Sequence, residues 1–373
     1  NIIGNKVKVV LLVAGGRAGS DFFHSLIDDH QEILQLPGYL KIDDNLSNIL
    51  SKKFPNDISK EFIKSYPVFF DSRINKEERW DKLGIKKNKF FKVDKKKFCE
   101  KFKILSKNKT INKFTNLKNL HLAYALARNK DVSKKKIFFV HTHLLQWTKL
   151  FLKICKLKNF EIIYTTRHPL ASLSSAFKAW INYDKGSSFF PKDLHNEIGR
   201  IINDSFELNK IGKVSIIKLE KVHLENKKTM KNFCKKFKIK YEKSLTQSTK
   251  NGLIWWGDIF SRRYLSGINK NLKIKINEKY FFKRDLIFFQ NLSSDLIKNY
   301  HYKFLYPKKN ILFNLAPMKC ELIVWRNTIK NLFYKGFRWK HLLSIPFFYI
   351  LRILLFNNIL IRNRKNFVTK SII

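Results

Sequence analysis

Hydrophobic and polar positions follow two rhythms along the chain. Residues 8–14 (KVVLLVA) form a short β-branched apolar run stopped by Gly15 and Gly16, the pattern of a buried parallel strand. From Ser20 onward, Phe22, Phe23, Leu26 and Ile27 recur at helical spacing, and Ser20 or Asp21 can cap the start. The first thirty residues thus predict strand, glycine-rich loop, helix. Residues 136–140 (KIFFV) and 160–165 (FEIIYT) predict two more strands around an amphipathic stretch, 144–157. A helix is predicted after Pro169 through Trp180, and 214–219 (VSIIKL) predicts a fourth strand. This alternation predicts an α/β fold of three layers, α/β/α, around a central parallel sheet.

Between about 40 and 133 the rhythm breaks into short amphipathic segments rich in Lys. They predict a mostly helical insertion lying over the C-terminal edge of the sheet, where ligands bind in such folds. The main domain is then 1–313, with this insertion, and 314–373 is a basic, apolar, helical tail. Within the tail, 342–361 is dominated by Leu, Ile and Phe and flanked by Arg338, Lys340, Arg362, Arg364 and Lys365. Ser344, Pro346, Arg352, Asn357 and Asn358 interrupt it. A spanning helix needs about 20 nearly unbroken apolar residues, so the tail predicts an interfacial helix or a docked one.

Composition changes this picture little. Lys plus Arg number 75 against 29 Asp plus Glu, a net charge of +46. Of the basic residues 61 are Lys and 14 are Arg, and they run through nearly the whole chain. Compositional drift toward Lys, Ile, Asn and Phe produces such a spread, as does selection for an anionic partner. Cys99, Cys155, Cys234 and Cys320 stand far apart, without C-x-x-C pairs or zinc spacing. No metal is expected, and a reducing, cytoplasmic setting is, with peripheral contact on the inner face of a membrane. Residues 1–8 run directly into a strand with no small-residue cleavage site, which predicts no signal peptide.

Two loops carry candidate chemistry. Gly15-Gly16-Arg17-Ala18-Gly19-Ser20-Asp21 lies between strand and helix, where free backbone N–H groups can hold an anion. It lacks the Walker Lys-[ST], which disfavours ATP hydrolysis. Arg17 adds a cation and Ser20 a hydroxyl. The second loop, 164–169 (YTTRHP), closes a predicted strand, with Arg167 at its end and Ser175 eight residues on. An arginine there can hold a phosphate bidentately. Each loop read alone is equally a plain strand-to-helix turn.

Together these pieces resemble the sulfotransferases that use 3′-phosphoadenosine 5′-phosphosulfate (PAPS). The strand–loop–helix at 10–26 resembles that family's 5′-phosphosulfate loop, and Arg167-His168-Pro169 with Ser175 resembles its 3′-phosphate motif. Between them Val140-His141-Thr142-His143-Leu144 is similar to the family's Lys-Thr-His-Leu segment, with His141 in place of the Lys. Lys250-Asn251-Gly252, before Trp255-Trp256-Gly257, resembles the Arg-Lys-Gly element that folds over the nucleotide, and Glu220 after 214–219 resembles a Glu-Asp-Leu turn. The resemblance covers about 7–38, 136–181 and 214–257. It implies a fold like that of the P-loop NTPases, and PAPS as co-substrate. It implies PAPS contacts from Arg17, Ala18, Gly19, Ser20, Asp21, Phe22, Arg167, Ser175, Lys250 and Gly252. Catalysis falls to Arg17 and to His143 as general base.

His141 is the rival base, because period two along a strand puts both imidazoles on one side. His24 is expected to pack, and Glu32 is the carboxylate alternative. Trp255 and Trp256 are open between adenine stacking and core packing. Asp21 stands where the family has Ser or Thr, and Arg17 where Lys is common. A capping role for Asp21, or a pairing with Arg17 or a Lys, keeps its charge off the phosphate. The acceptor is expected to be a hydroxyl on a carbohydrate or glycolipid, which suits the insertion and the tail. The competing functions are a nucleotide kinase of related fold and a non-enzymatic basic protein on nucleic acid or anionic membrane.

Overall fold

The computed structural model describes residues 7–107, 112–182, 189–259, 266–307, 315–334 and 339–361. Strand β1 (Lys8–Ala14) leads into α1 (Ser20–Leu26) and a two-residue β2 (Ile33–Leu34). Five helices follow: α2 (Asp44–Leu50), α3 (Pro55–Ser65), α4 (Pro67–Phe70), α5 (Lys95–Ser106) and α6 (Lys113–Ala127). Then come β3 (Ile137–His143), α7 (Leu145–Cys155), β4 (Glu161–Thr166), α8 (Pro169–Asn182), α9 (Pro191–Ile211) and β5 (Val214–Lys218). Helices α10 (Leu219–Leu224) and α11 (Asn226–Phe237) precede a small hairpin, β6 (Thr249–Lys250) and β7 (Leu253–Ile254). The chain continues through α12 (Lys283–Leu292), α13 (Ser294–Asn299), α14 (Lys319–Tyr334) and α15 (Trp339–Ile361).

The main sheet runs β2-β3-β1-β4-β5, and every pairing in it is parallel. Alternate residues of β1 enter two different cores. Val9 and Leu11 pack with Phe138, Val140 and the helices α2 to α7, while Val10 and Leu12 pack with Ile137, Phe139, α1 and α11. The sheet is thus buried on both faces, which explains its near-continuous apolar strands. Three layers with a central parallel sheet stand as expected.

Helices α2 to α6 form the expected insertion, but they cover one face of the sheet. Tyr39, Glu77 and Glu78 reach the C-terminal edge and face the main cavity there. The tail docks. Met318, Cys320, Val324 and Phe356 share a core with Leu173, Phe177, Ile198 and Phe289 from α8, α9 and α12. Arg352, which interrupts the apolar run, is 2% exposed and pairs with Glu321 through Nε–Oε1 at 2.9 Å and Nη2–Oε2 at 3.2 Å. Among the described residues no helix is long and apolar enough to cross a membrane. Arg338, Arg362, Arg364 and Lys365 lie outside the described residues.

Candidate functional site

Neighbouring strands β1 and β4 send their chains in opposite directions, β1 toward β2 and β4 toward β5. Such a divergence opens a crevice at the strands' C-terminal ends. A cavity of about 610 Å³ lies there. The β1–α1 loop contributes Gly16, Arg17 and Gly19 to its wall, and the first turn of α1 contributes Ser20, Asp21 and Phe22. Gly16 and Gly19 take φ of 72° and 77°, a conformation glycine adopts without penalty. Gly15 donates its N–H to the Thr165 carbonyl at 2.9 Å, which pins this loop to the end of β4.

From β4 and α8 come Arg167 and Ser175, both facing the same cavity. Burial lowers the Arg167 pKa from its ordinary value, against the pull of Glu220, and the group stays a cation. Among the described residues no carboxylate lies within ion-pair distance of Arg167. Glu220 holds the loop instead, accepting from the His168 N–H at 3.0 Å and from the Tyr302 hydroxyl at 3.2 Å.

Between the two loops sits His143. The β1–β3 register shifts between Leu12 and Val13, so Leu12 pairs with His141 and Val13 with His143. This irregularity puts His143 at φ 61° and aims it into the cavity. Its Nδ1 lies 3.4 Å from Ser20 Oγ and 3.4 Å from His141 Nε2. Tyr39 stacks on the ring at 5.0 Å. Burial lowers the His143 pKa, with Asp21 opposing and Arg200 and Arg17 assisting, so the ring is neutral near pH 7. His141 is fully buried, is pushed down to about 3, and does not line the cavity. His24 is buried against Phe139 and His141, as expected of a packing residue.

Asp21 does not cap α1: the N-cap is Gly19 and no side chain bonds there. Its Oδ1 turns to His141 Nδ1 at 3.8 Å. Burial raises the Asp21 pKa, but His141, His143, Lys250 and Arg17 together bring it below its ordinary value. Asp21, His141 and His143 hold ligand-type atoms within 4.8 Å of one another, close enough to grip a cation. Arg17 and Lys250 act on the same carboxylate and compete with one. Arg17 itself pairs with Asp258, Nη2–Oδ2 at 3.0 Å.

The structure places several of the expected residues off this cavity. Lys250 is 1% exposed; its Nζ donates to the Pro37 carbonyl at 2.9 Å and sits over the rings of Trp80 and Trp255. Gly252 forms the β6–β7 turn with Asn251 and donates to Asp28 Oδ2 at 2.8 Å. Neither lines the cavity, because Asn-Gly makes a tight hairpin turn that is tied to α1's far end. Ala18 is buried and also lies off the wall. Glu32 pairs with Lys136, away from the cavity. Trp255 lines the cavity yet is 4% exposed, its Nε1 on the Glu78 carbonyl, while Trp256 bonds to the Gly84 carbonyl and lies off the wall.

Sequence reasoning missed Glu78, Arg200, Glu197 and His223, which also line the cavity. Burial, then Asp21, pushes the Glu78 carboxyl up to about 8. Phe22 stacks on His223 at 4.4 Å. The spacing of Glu197 and Arg200 on a helix was the one available signal, since i and i+3 face alike.

No family model matches the chain, and no curated protein does. Among solved structures it is similar to the sulfotransferase domain of the Synechococcus PCC 7002 olefin synthase. That likeness has 10% identity and a TM-score of 0.38, over 81% of this chain and 98% of that one. It is also similar to the sulfotransferase domain from the curacin biosynthetic pathway, at 12% identity and a TM-score of 0.36, over 90% and 99%. The chemistry of the site rests on its own geometry.

Proposed function

We propose that the chain transfers a sulfuryl group from PAPS to an acceptor hydroxyl. One observation carries this reading. Two anion-type loops, some 150 residues apart in sequence, open onto one cavity with a neutral histidine between them. Arg17, Ser20 and the loop amides hold the 5′-phosphosulfate, and Arg167 with Ser175 holds the 3′-phosphate. His143 takes the acceptor's proton as its oxygen bonds to sulfur. The bond from sulfur to the 5′-phosphate oxygen breaks, and that phosphate leaves with the electron pair. Such transfers depend on positioning and on charge stabilisation at the leaving oxygen. The cavity geometry supports His143 over His141 as base, because His143 alone of the two reaches the wall.

The acceptor we place on a carbohydrate or glycolipid. An exposed apolar stripe on α15 (Leu343, Phe347, Ile350 and Leu354, four and three residues apart) supports peripheral contact with an anionic membrane.

Calorimetric titration with 3′-phosphoadenosine 5′-phosphate, beside ATP, tests the nucleotide. Micromolar binding that is lost without the 3′-phosphate supports the reading. Arg167→Ala should then weaken binding by about 1.5–3 kcal/mol, the worth of a charged hydrogen bond. Equal response to any polyanion, steeply lost with salt, would turn the function toward non-specific anion binding.

A further inference from the structure

Past His143 the chain enters α7, and a second cavity of about 600 Å³ opens there. Its wall begins at Leu144 and Leu145, the two residues after the proposed base, and runs along α9 to Leu355 of α15. Trp180, Glu197 and Arg200 face both cavities. The α9 and α15 portions lie outside the stretches whose motifs resemble the PAPS sulfotransferases.

Four buried side-chain atoms of its lining residues have no hydrogen-bond partner among the described residues: Glu197 Oε2, His195 Nδ1, Arg200 Nε and Arg200 Nη2. Arg200 Nη1 donates to Glu197 Oε1 at 2.9 Å, which fixes the pair. An orphaned buried polar group is unfavourable, so a ligand toward which these side chains turn gains by satisfying them. Two of the atoms are donors, one is an acceptor, and the imidazole nitrogen is either. An anion meets Asp193, Glu197 and Asp204 here, and a cation meets Arg200 and Lys149. A neutral ligand carrying several hydroxyls satisfies donors and acceptors alike. Trp180 and Phe189 stack at 5.8 Å and 6°, giving one flat apolar wall.

Gly199 is an independent sign. It lies within the 21-residue helix α9, where alanine is preferred over glycine. A Cβ built there meets nothing within 4 Å, so no protein atom requires the glycine. The bare backbone faces the cavity, and glycine suits a close approach by a ligand.

We propose that this second cavity seats a neutral polyhydroxylated acceptor of the sugar-ring class, gripped by Glu197 and Arg200 and lying against Gly199. The proposal rests on the sulfotransfer reading for what happens to the ligand, but not for its binding. Saturation-transfer NMR with the methyl glycosides of glucose, galactose and N-acetylglucosamine, at millimolar concentration, tests it. At least one glycoside should give a signal with the wild-type protein. That signal should fall at least tenfold in Gly199→Phe, which puts a ring where the ligand would approach the backbone, and in Glu197→Ala, which decides the matter where the larger side chain disturbs folding. Binding of 3′-phosphoadenosine 5′-phosphate to Gly199→Phe should stay within twofold of wild type. No glycoside signal from the wild type, or equal signals from both variants, would overturn the proposal. Glycoside binding as described without any nucleotide binding would uphold the cavity and remove sulfotransfer.

Discussion

His143 combines three constraints: an irregular strand end, a left-handed backbone and a ring packed between Tyr39, His141 and Ser20. Its replacement by Ala should cut kcat by roughly 10²–10⁴, the usual worth of a general base, with donor affinity nearly unchanged. Because burial holds its pKa below the ordinary 6.5, the ring is unprotonated through the neutral range. The rate should be flat from about pH 6.5 upward and fall only as acid protonates the ring, which a kcat–pH profile reads. Glu78 adds a limb at the other end. Its carboxyl loses a proton near pH 8, so donor affinity should weaken above that pH as the wall gains negative charge. Asp258 competes with a phosphate for Arg17; Asp258→Asn should tighten nucleotide binding several-fold by calorimetry. That Arg17, Ser20, His143, Arg167 and Ser175 come to one cavity was legible because strand ends in a parallel sheet point one way. Glu78 was not, since it reaches the cavity from a distant segment that no local pattern links to it, and the Glu197–Arg200 spacing gave a shared helix face but not the cavity it meets. Lys250 lies off the cavity for a local reason: an Asn-Gly turn and two indoles hold it.

Among the elements, strands β1, β3, β4 and β5 fall within a residue or a few of the apolar runs that predicted them. The helical insertion was visible too, but its placement was not. Whether short amphipathic helices cover a sheet's face or its edge depends on long-range contacts such as Phe62 and Phe98 in the β1 core. For α15 the sequence left interface and docking open, and the Arg352–Glu321 pair decides for docking along one side. Breaking a buried pair strands the surviving charge, at a cost of about 3–5 kcal/mol. Arg352→Ala should lower stability by that amount in urea unfolding, whereas the paired change Arg352→Met with Glu321→Leu should recover much of it.

At the scale of the whole molecule, strand–helix alternation was enough to name the layers, and composition was not enough to name a partner. A charge of +46 spreads over the chain, while the cavity walls carry Glu77, Glu78, Glu197 and Asp258. The basic character therefore belongs to the outside more than to the site. With anionic vesicles the protein should co-sediment at low salt, and replacing Leu343, Phe347, Ile350 and Leu354 by Ser should release it. Unchanged partitioning would leave the stripe without a membrane role. The docking of α15 also has a consequence in time. Leu355 is part of the second cavity's wall, and Phe356 belongs to a core whose other members begin at Leu170. Chains emerge from the ribosome N-terminus first, so the sheet and its nucleotide loops can assemble while this pocket still lacks a side. The pocket closes only once α15 has been made, and a stop before α15 would yield a chain that keeps the loops of the first cavity and lacks one side of the second.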